Sequence, residues 1–258
     1  MHRYSEDYYA VRKEGTRSSA EVIVPLVLEV VKARSVIDVG CGTGEWLSVF
    51  KEHGVEDIWG VDGEHVNIKT LAIPEERFVP FDLKRPYCMD RAFDLVVSLE
   101  VAEHLPADCA ETLVDSLTGL GSVVLFSAAI PYQGGEHHIN EQWPEYWIRL
   151  FDSKGYVTID CLRRKIWSDE EVEFYYAQNI FLFATRETLE KQPALKAEYE
   201  LHSVYQRSIV HPRMYLQVIE TYENSFCRRL VRTLDRVLPP RIQRIARATM
   251  LWMHTRAS

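Results

Sequence analysis

The stretch Val36–Gly44 reads VIDVGCGTG, a β-rich apolar run that passes straight into Gly40, Gly42 and Gly44. The run opens at Ser35, and a helical pattern follows from Glu45 to His53. Glycine lets the backbone turn tightly and approach a ligand closely, and a helix N-terminus presents unpaired N–H groups. Taken alone, G-x-G-x-G leaves three readings open: a structural turn, a dinucleotide site, or another nucleotide-like site.

Outward from this loop, short apolar runs alternate with helical stretches. Further strands are expected at Ile58–Val61, Arg77–Phe81, Phe93–Ser98 and Ser122–Ala128, with two closing strands at Tyr156–Leu162 and Gln178–Thr185. Helices are expected at Ser18–Lys32, with Ser18 or Ser19 as N-cap, and at Ala107–Leu117. This alternation indicates β-α units and a parallel sheet covered on both faces. After Arg186 the strand signals stop, and the rest reads as helical. The expected division is a domain over residues 1–185 and a helical extension over residues 186–258.

Two acids follow the second and third strands. Asp62, in WGVDG, comes 18 residues after Gly44 and can accept hydrogen bonds from ribose hydroxyls. Asp82, in PFDL, is spaced to read an adenine amino group. With FDLVVSLEVAEHL at the fourth strand, residues Ser18–Thr185 resemble the class I S-adenosylmethionine-dependent methyltransferases. The resemblance implies a Rossmann-like α/β fold with a seven-stranded, mostly parallel sheet, its last strand antiparallel. It also implies S-adenosyl-L-methionine as cofactor. Gly40, Gly42 and Gly44 would bracket the methionine part, Asp38 would stabilise the loop, and Asp62 would hold the ribose. Asp82 and Leu83 would face the adenine, and Glu100 would line the methionine pocket. A nicotinamide-dinucleotide loop expects G-x-G-x-x-G, whereas here Trp46 and Leu47 follow Gly44 with no such third glycine.

The second informative stretch is Leu99–Leu105, LEVAEHL, just beyond a strand's carboxyl end, where open α/β sheets place ligands. Glu100 with Glu103, and Glu100 with His104, share a helical face. Two carboxylates and an imidazole converging without a cation are costly to desolvate, and a divalent ion removes that cost. The third stretch, Ile130–Trp147, is IPYQGGEHHINEQWPEYW. His137 and His138 bring imidazoles, Asn140, Glu141 and Gln142 bring groups for polar ligands, and the aromatic residues suit the C–H faces of a sugar. E-x-x-E-H with a later histidine resembles the metal site of small-RNA terminal 2′-O-methyltransferases. It implies Glu100, Glu103, His104 and His138 as ligands of Mg2+ or Mn2+. H-I-N-E-Q-W-P-x-Y-W resembles a bacterial group of methyltransferases found with polysaccharide-assembly enzymes, with His138 as the matching histidine.

The expected activity is O-methylation of a sugar or glycan hydroxyl with metal assistance, Glu103, His104 and His138 forming the catalytic group. Two alternatives stand beside it. One is a metal-independent small-molecule methyltransferase using His138 or His104 as base, and the other is a cofactor-binding protein without catalysis. His104 also has a plain structural reading as a cap on the fourth strand or its following helix.

The chain has 258 residues, enough for a full core without staples, and 47% apolar with 26% charged residues excludes wholesale disorder. Its formal charge of −8 disfavours nucleic acid as a partner. The total hides an asymmetry. Phe226–Ser258 carries eight arginines against one acid, a net +7, which leaves −15 on residues 1–225. Such a basic amphipathic arm suits an anionic membrane surface and a lipid-linked acceptor. The competing expectation packs it on the acidic body or on a second subunit of a homo-oligomer. Five widely spaced cysteines argue against a disulfide framework. With no apolar signal segment, the expected location is cytoplasmic, with contact at the inner membrane face through residues 226–258. Tyr4, Tyr8, Tyr9 and Arg12 are candidates for a lid over the cofactor.

Overall fold

The computed structural model describes residues 6–202 and 207–224, with side chains over 14–201 and 207–222. The lid candidates and the basic arm Phe226–Ser258 lie outside the described side chains. Two compact units are distinguished, one ending at His211 and one beginning at Pro212.

In the first unit the chain runs α1 (Glu6–Val30), β1 (Ser35–Val39), α2 (Glu45–Glu52), β2 (Asp57–Asp62), β3 (Phe78–Pro80) and β4 (Leu95–Leu99). It continues through α3 (Ala110–Leu120), β5 (Val123–Ser127), α4 (Pro144–Ser153), β6 (Tyr156–Ile159), α5 (Arg163–Ile166) and α6 (Phe174–Asn179). β7 (Phe181–Thr185), α7 (Arg186–Lys191) and α8 (Pro193–His202) complete it. The second unit's described element is α9 (Pro212–Asn224).

The seven strands form one sheet in the order β3-β2-β1-β4-β5-β7-β6. Pairings among β1 to β5 are parallel, and β7 is antiparallel to both β5 and β6. The expected seven-stranded, Rossmann-like α/β architecture is therefore present. Side-chain alternation along buried strands divides the core in two. Val36, Leu95, Val97, Val123 and Leu125 face the layer of α1 and α2. Ile37, Val96, Val124 and Phe126 face α3 and α4. Such strands need apolar residues at consecutive positions, which is why β4 and β5 are each apolar at four of five positions, with one small serine.

Two local expectations are corrected. Ser19 is not a cap, because α1 begins at Glu6. Its hydroxyl donates to Gly15 O at 2.7 Å and accepts from Glu173 N at 2.9 Å, so it is satisfied inside the helix. Gln178 and Asn179 end α6 rather than opening β7, because both amides are used in a buried polar network.

Strand order reverses beside β1, which lies between β2 and β4. Ligands of open α/β sheets bind in the crevice at such a switch point, beyond the carboxyl ends of the strands. The loops after β1 and β4 meet there. Among the described residues, no helix is long and apolar enough to cross a membrane.

Candidate active site

Gly40, Gly42 and Gly44 all have positive φ, at 90°, 53° and 85°. At Gly40 an added Cβ would sit 2.3 Å from Val101 Cγ2, so the loop packs against the segment after β4. At Gly42 it would meet nothing within 4 Å, so this side of the loop is open. Asp62 braces the loop: its Oδ2 accepts from Gly42 N at 2.7 Å and its Oδ1 from Gly63 N at 2.6 Å. Asp38 is buried at the end of β1, and burial, reinforced by the negative charge of Asp62, holds its carboxyl well above the usual range. Past β3, Leu83 is buried while Asp82 is exposed and accepts from Lys84 N.

Beyond β4 the chain turns sharply. Glu100 adopts φ 54°, a left-handed conformation that costs energy for a residue with a side chain. Its N–H is shared between Ser127 O and Ser127 Oγ. The turn swings its carboxylate toward two amides: Gln133 Nε2 donates to Oε2 at 2.8 Å and Asn179 Nδ2 to Oε1 at 3.1 Å. Burial raises the Glu100 pKa, opposed by these hydrogen bonds. Gln178 extends the network through Gln133 and Asn179. The sequence reading missed these three amides. Two of them open the expected strand Gln178–Thr185, and glutamine and asparagine carry no motif of their own.

Glu103 and His104 lie in a 3-10 turn, Ala102–His104. Glu103 is 0% exposed, and neither carboxylate oxygen has a hydrogen-bond partner. Burial and the nearby Glu100 charge push its pKa well up. His138 is brought to it by the loop after β5, whose Ile139 and Asn140 N–H groups both donate to Glu103 O. His138 Nε2 lies 4.0 Å from Glu103 Oε1, and its ring meets that of His104 edge-on at 4.8 Å between centroids. The imidazole is held from behind: Nδ1 lies 3.0 Å from Glu141 Oε1. Glu141 also accepts from Tyr132 N and Gly134 N, each at 2.8 Å.

One ligand atom each from Glu103, His104 and His138 falls within a 4.8 Å cluster. Glu100, expected as a fourth ligand, is not part of that cluster; its oxygens accept from Gln133 and Asn179. His137 is exposed and turned to Glu136. Of the polar groups expected to meet a ligand, Asn140 is buried and bonded to Ala102 O and Gln142, while Glu141 holds His138. Tyr132, Ile139 and Trp143 are the exposed apolar residues of this loop.

A family model described as a methyltransferase domain matches residues 12–157, more than half of the chain. The chain belongs to this methyltransferase family. The matched segment holds the glycine loop, the Glu103–His104 turn and the His138 loop of the methyltransferase. No curated protein sequence matches it significantly. Among solved structures it is similar to Streptomyces venezuelae DesVI, at 15% identity over 71% of this chain and 100% of that one, TM-score 0.52. It is similar to the plantazolicin methyltransferase BpumL in complex with SAH, at 15% identity over 70% and 88%, TM-score 0.51. A third likeness is to magnesium protoporphyrin IX methyltransferase from Synechocystis PCC 6803 with bound SAM, at 16% identity over 72% and 86%, TM-score 0.50. At these identities the likeness is one of fold.

Proposed function

We propose that this methyltransferase uses S-adenosyl-L-methionine to methylate a hydroxyl of a sugar or glycan, assisted by a divalent cation at Glu103, His104 and His138. The observation that carries the reading is Glu103, a fully buried carboxylate with two unpartnered oxygens beside two imidazoles. A bare carboxylate is expensive in such a place, and a cation beside it removes the expense.

The cofactor fits the crevice on two counts. Gly42 leaves the loop open on one side, and the carboxylates of Asp62 and Glu100, each hydrogen-bonded to N–H donors, would face the cationic methionyl part. Methyl transfer is an in-line displacement at a sulfonium carbon, for which the protein supplies orientation and water exclusion. The Glu100–Gln133–Asn179 network would fix the methionyl end, and Asp62 would meet the ribose once it exchanges its bond to Gly42. Asp82 and Leu83 would flank the adenine.

A cation at the Glu103–His104–His138 group would act as a Lewis acid that lowers the pKa of the acceptor hydroxyl. Two nitrogens and one carboxylate suit manganese or iron better than magnesium, which prefers oxygen. Glu141 holds His138 as a carboxylate holds a ligating histidine, keeping Nε2 toward Glu103. Exposed Tyr132 and Trp143 would face the sugar's C–H surface.

The same Glu141–His138 pair supports a second reading, in which His138 Nε2 is the general base and no metal takes part. Turnover of methyl-labelled cofactor against a panel of sugars, with and without exhaustive chelation, separates the two. Loss on chelation and recovery with Mn2+ is the expected result. Activity that survives chelation and ignores added metal overturns the metal reading. Full turnover in Glu103→Ala and His138→Ala overturns both.

A further inference from the structure

Behind α4, on the outer side of the edge strand β6, lies a cavity of about 290 Å3 that the methyl-transfer chemistry does not use. Three arginines line it: Arg149 from α4, Arg186 at the start of α7, and Arg207. All three are exposed. Among the described residues none of them pairs with a carboxylate, whereas Arg17, Arg77, Arg91 and Arg163 all do. Of the acids on α7 and α8, Glu187 pairs with Lys191, Glu190 with Lys196 and Glu198 with Lys165, while Glu200 lines the neighbouring cavity that Arg186 also borders. Among the described residues, Asp152 is the one carboxylate in the lining of the three-arginine cavity. Residues 1–225 carry −15, so three guanidinium groups around one cavity are a local feature and not part of a basic surface.

We infer that this cavity binds a phosphate or diphosphate group, and that the group belongs to the methyl acceptor. Guanidinium forks match phosphate oxygens in pairs, and three of them suit a group with three or more terminal oxygens and about −2 charge. A carboxylate offers two oxygens and a single charge. Thr158 and Tyr199, also in the lining, supply hydroxyl donors.

The link to the acceptor is Arg149, which also lines an adjoining cavity of about 510 Å3 with Gln142, Trp143 and Tyr146. Arg149 lies six positions after Trp143, the residue before α4, about 9 Å along the helix. His138 and Glu141 lie on the loop that leads into that helix. A sugar whose hydroxyl lies at His138 could thus run its rings along Trp143 and Tyr146 and place an anionic end at Arg149, Arg186 and Arg207. This assignment of acceptor class rests on the sugar reading above.

The test uses the full chain without cofactor, titrated calorimetrically at fixed ionic strength with inorganic pyrophosphate, orthophosphate and acetate. Binding in the order pyrophosphate, orthophosphate, acetate is expected, with Arg186→Gln/Arg207→Gln weakening pyrophosphate at least ten-fold at unchanged melting temperature. Should that variant unfold, Arg149→Gln alone serves, with the same direction of loss. No heat with pyrophosphate, acetate binding as tightly, or variants that bind like the parent each overturn the proposal. Glucose 1-phosphate, and phosphatidylcholine vesicles with or without a polyprenyl diphosphate, then distinguish a soluble from a lipid-linked source. No cofactor is present, so a failure here is separable from a failure of methyl transfer.

Discussion

At the scale of single residues, the site combines legible and illegible parts. E-x-x-E-H announced Glu103 and His104, because their spacing fixes them in one turn. The turn of the Glu100 carboxylate onto Gln133 and Asn179 was not legible, since it follows from a left-handed backbone at φ 54° that no spacing rule anticipates. Glu141 was read as a ligand-facing group, and only the loop's path turns it onto His138. Glu141→Gln keeps one acceptor oxygen and removes the charge behind the imidazole. Mn2+ affinity, followed by electron paramagnetic resonance, is expected to fall about 10- to 100-fold. An unchanged affinity would show that Glu141 only braces the loop. Asp38 makes a separate prediction about pH. Its folded pKa is raised by burial and by Asp62. Its contribution to stability is therefore complete below the unfolded value of about 3.9 and is lost as pH rises through the folded pKa. Asp38→Asn removes the buried charge, so its melting temperature should gain on the parent as pH is raised from 5 to 9. A gap that stays constant over that range would contradict the assignment.

At the scale of elements, the strand–loop–helix unit from β1 to α2 was readable almost to the residue, because buried parallel strands need apolar runs and the turn needs glycine. Gln178 and Asn179 misled for the opposite reason. They adjoin an apolar strand in sequence, yet their amides are recruited by Glu100 and Gln133 across the crevice. The loop itself predicts two unequal substitutions. Gly40→Ala combines φ 90° with a clash of 2.3 Å against Val101, so the loop and the segment after β4 must move apart. A loss of about 2–4 kcal/mol in urea unfolding is expected, together with loss of S-adenosylhomocysteine binding by calorimetry. Gly42→Ala meets no atom within 4 Å and bears only the left-handed conformation, about 1–2 kcal/mol. Equal effects of the two would mean that the contact with Val101 is not what shapes the loop.

At the scale of the whole chain, the fold class was legible because the β-α alternation repeats. The sequence places a boundary at residue 185, where strand signals stop, and buried side chains continue beyond it. Leu189 in α7 and Leu195 in α8 are buried in the same apolar layer as α1 and α2. Arg163 donates to Arg207 O, and His211 N donates to Gln178 Oε1 at 2.7 Å. Losing one large core side chain costs about 2–5 kcal/mol, against a total stability of about 5–15 kcal/mol. A chain cut after residue 185 loses two such side chains and both polar ties, and should show no cooperative thermal transition. A chain cut after His211 keeps them and should melt cooperatively. Circular dichroism on the two truncations decides the matter, and a cooperative transition in the shorter one would place the end of the folding unit at the last strand.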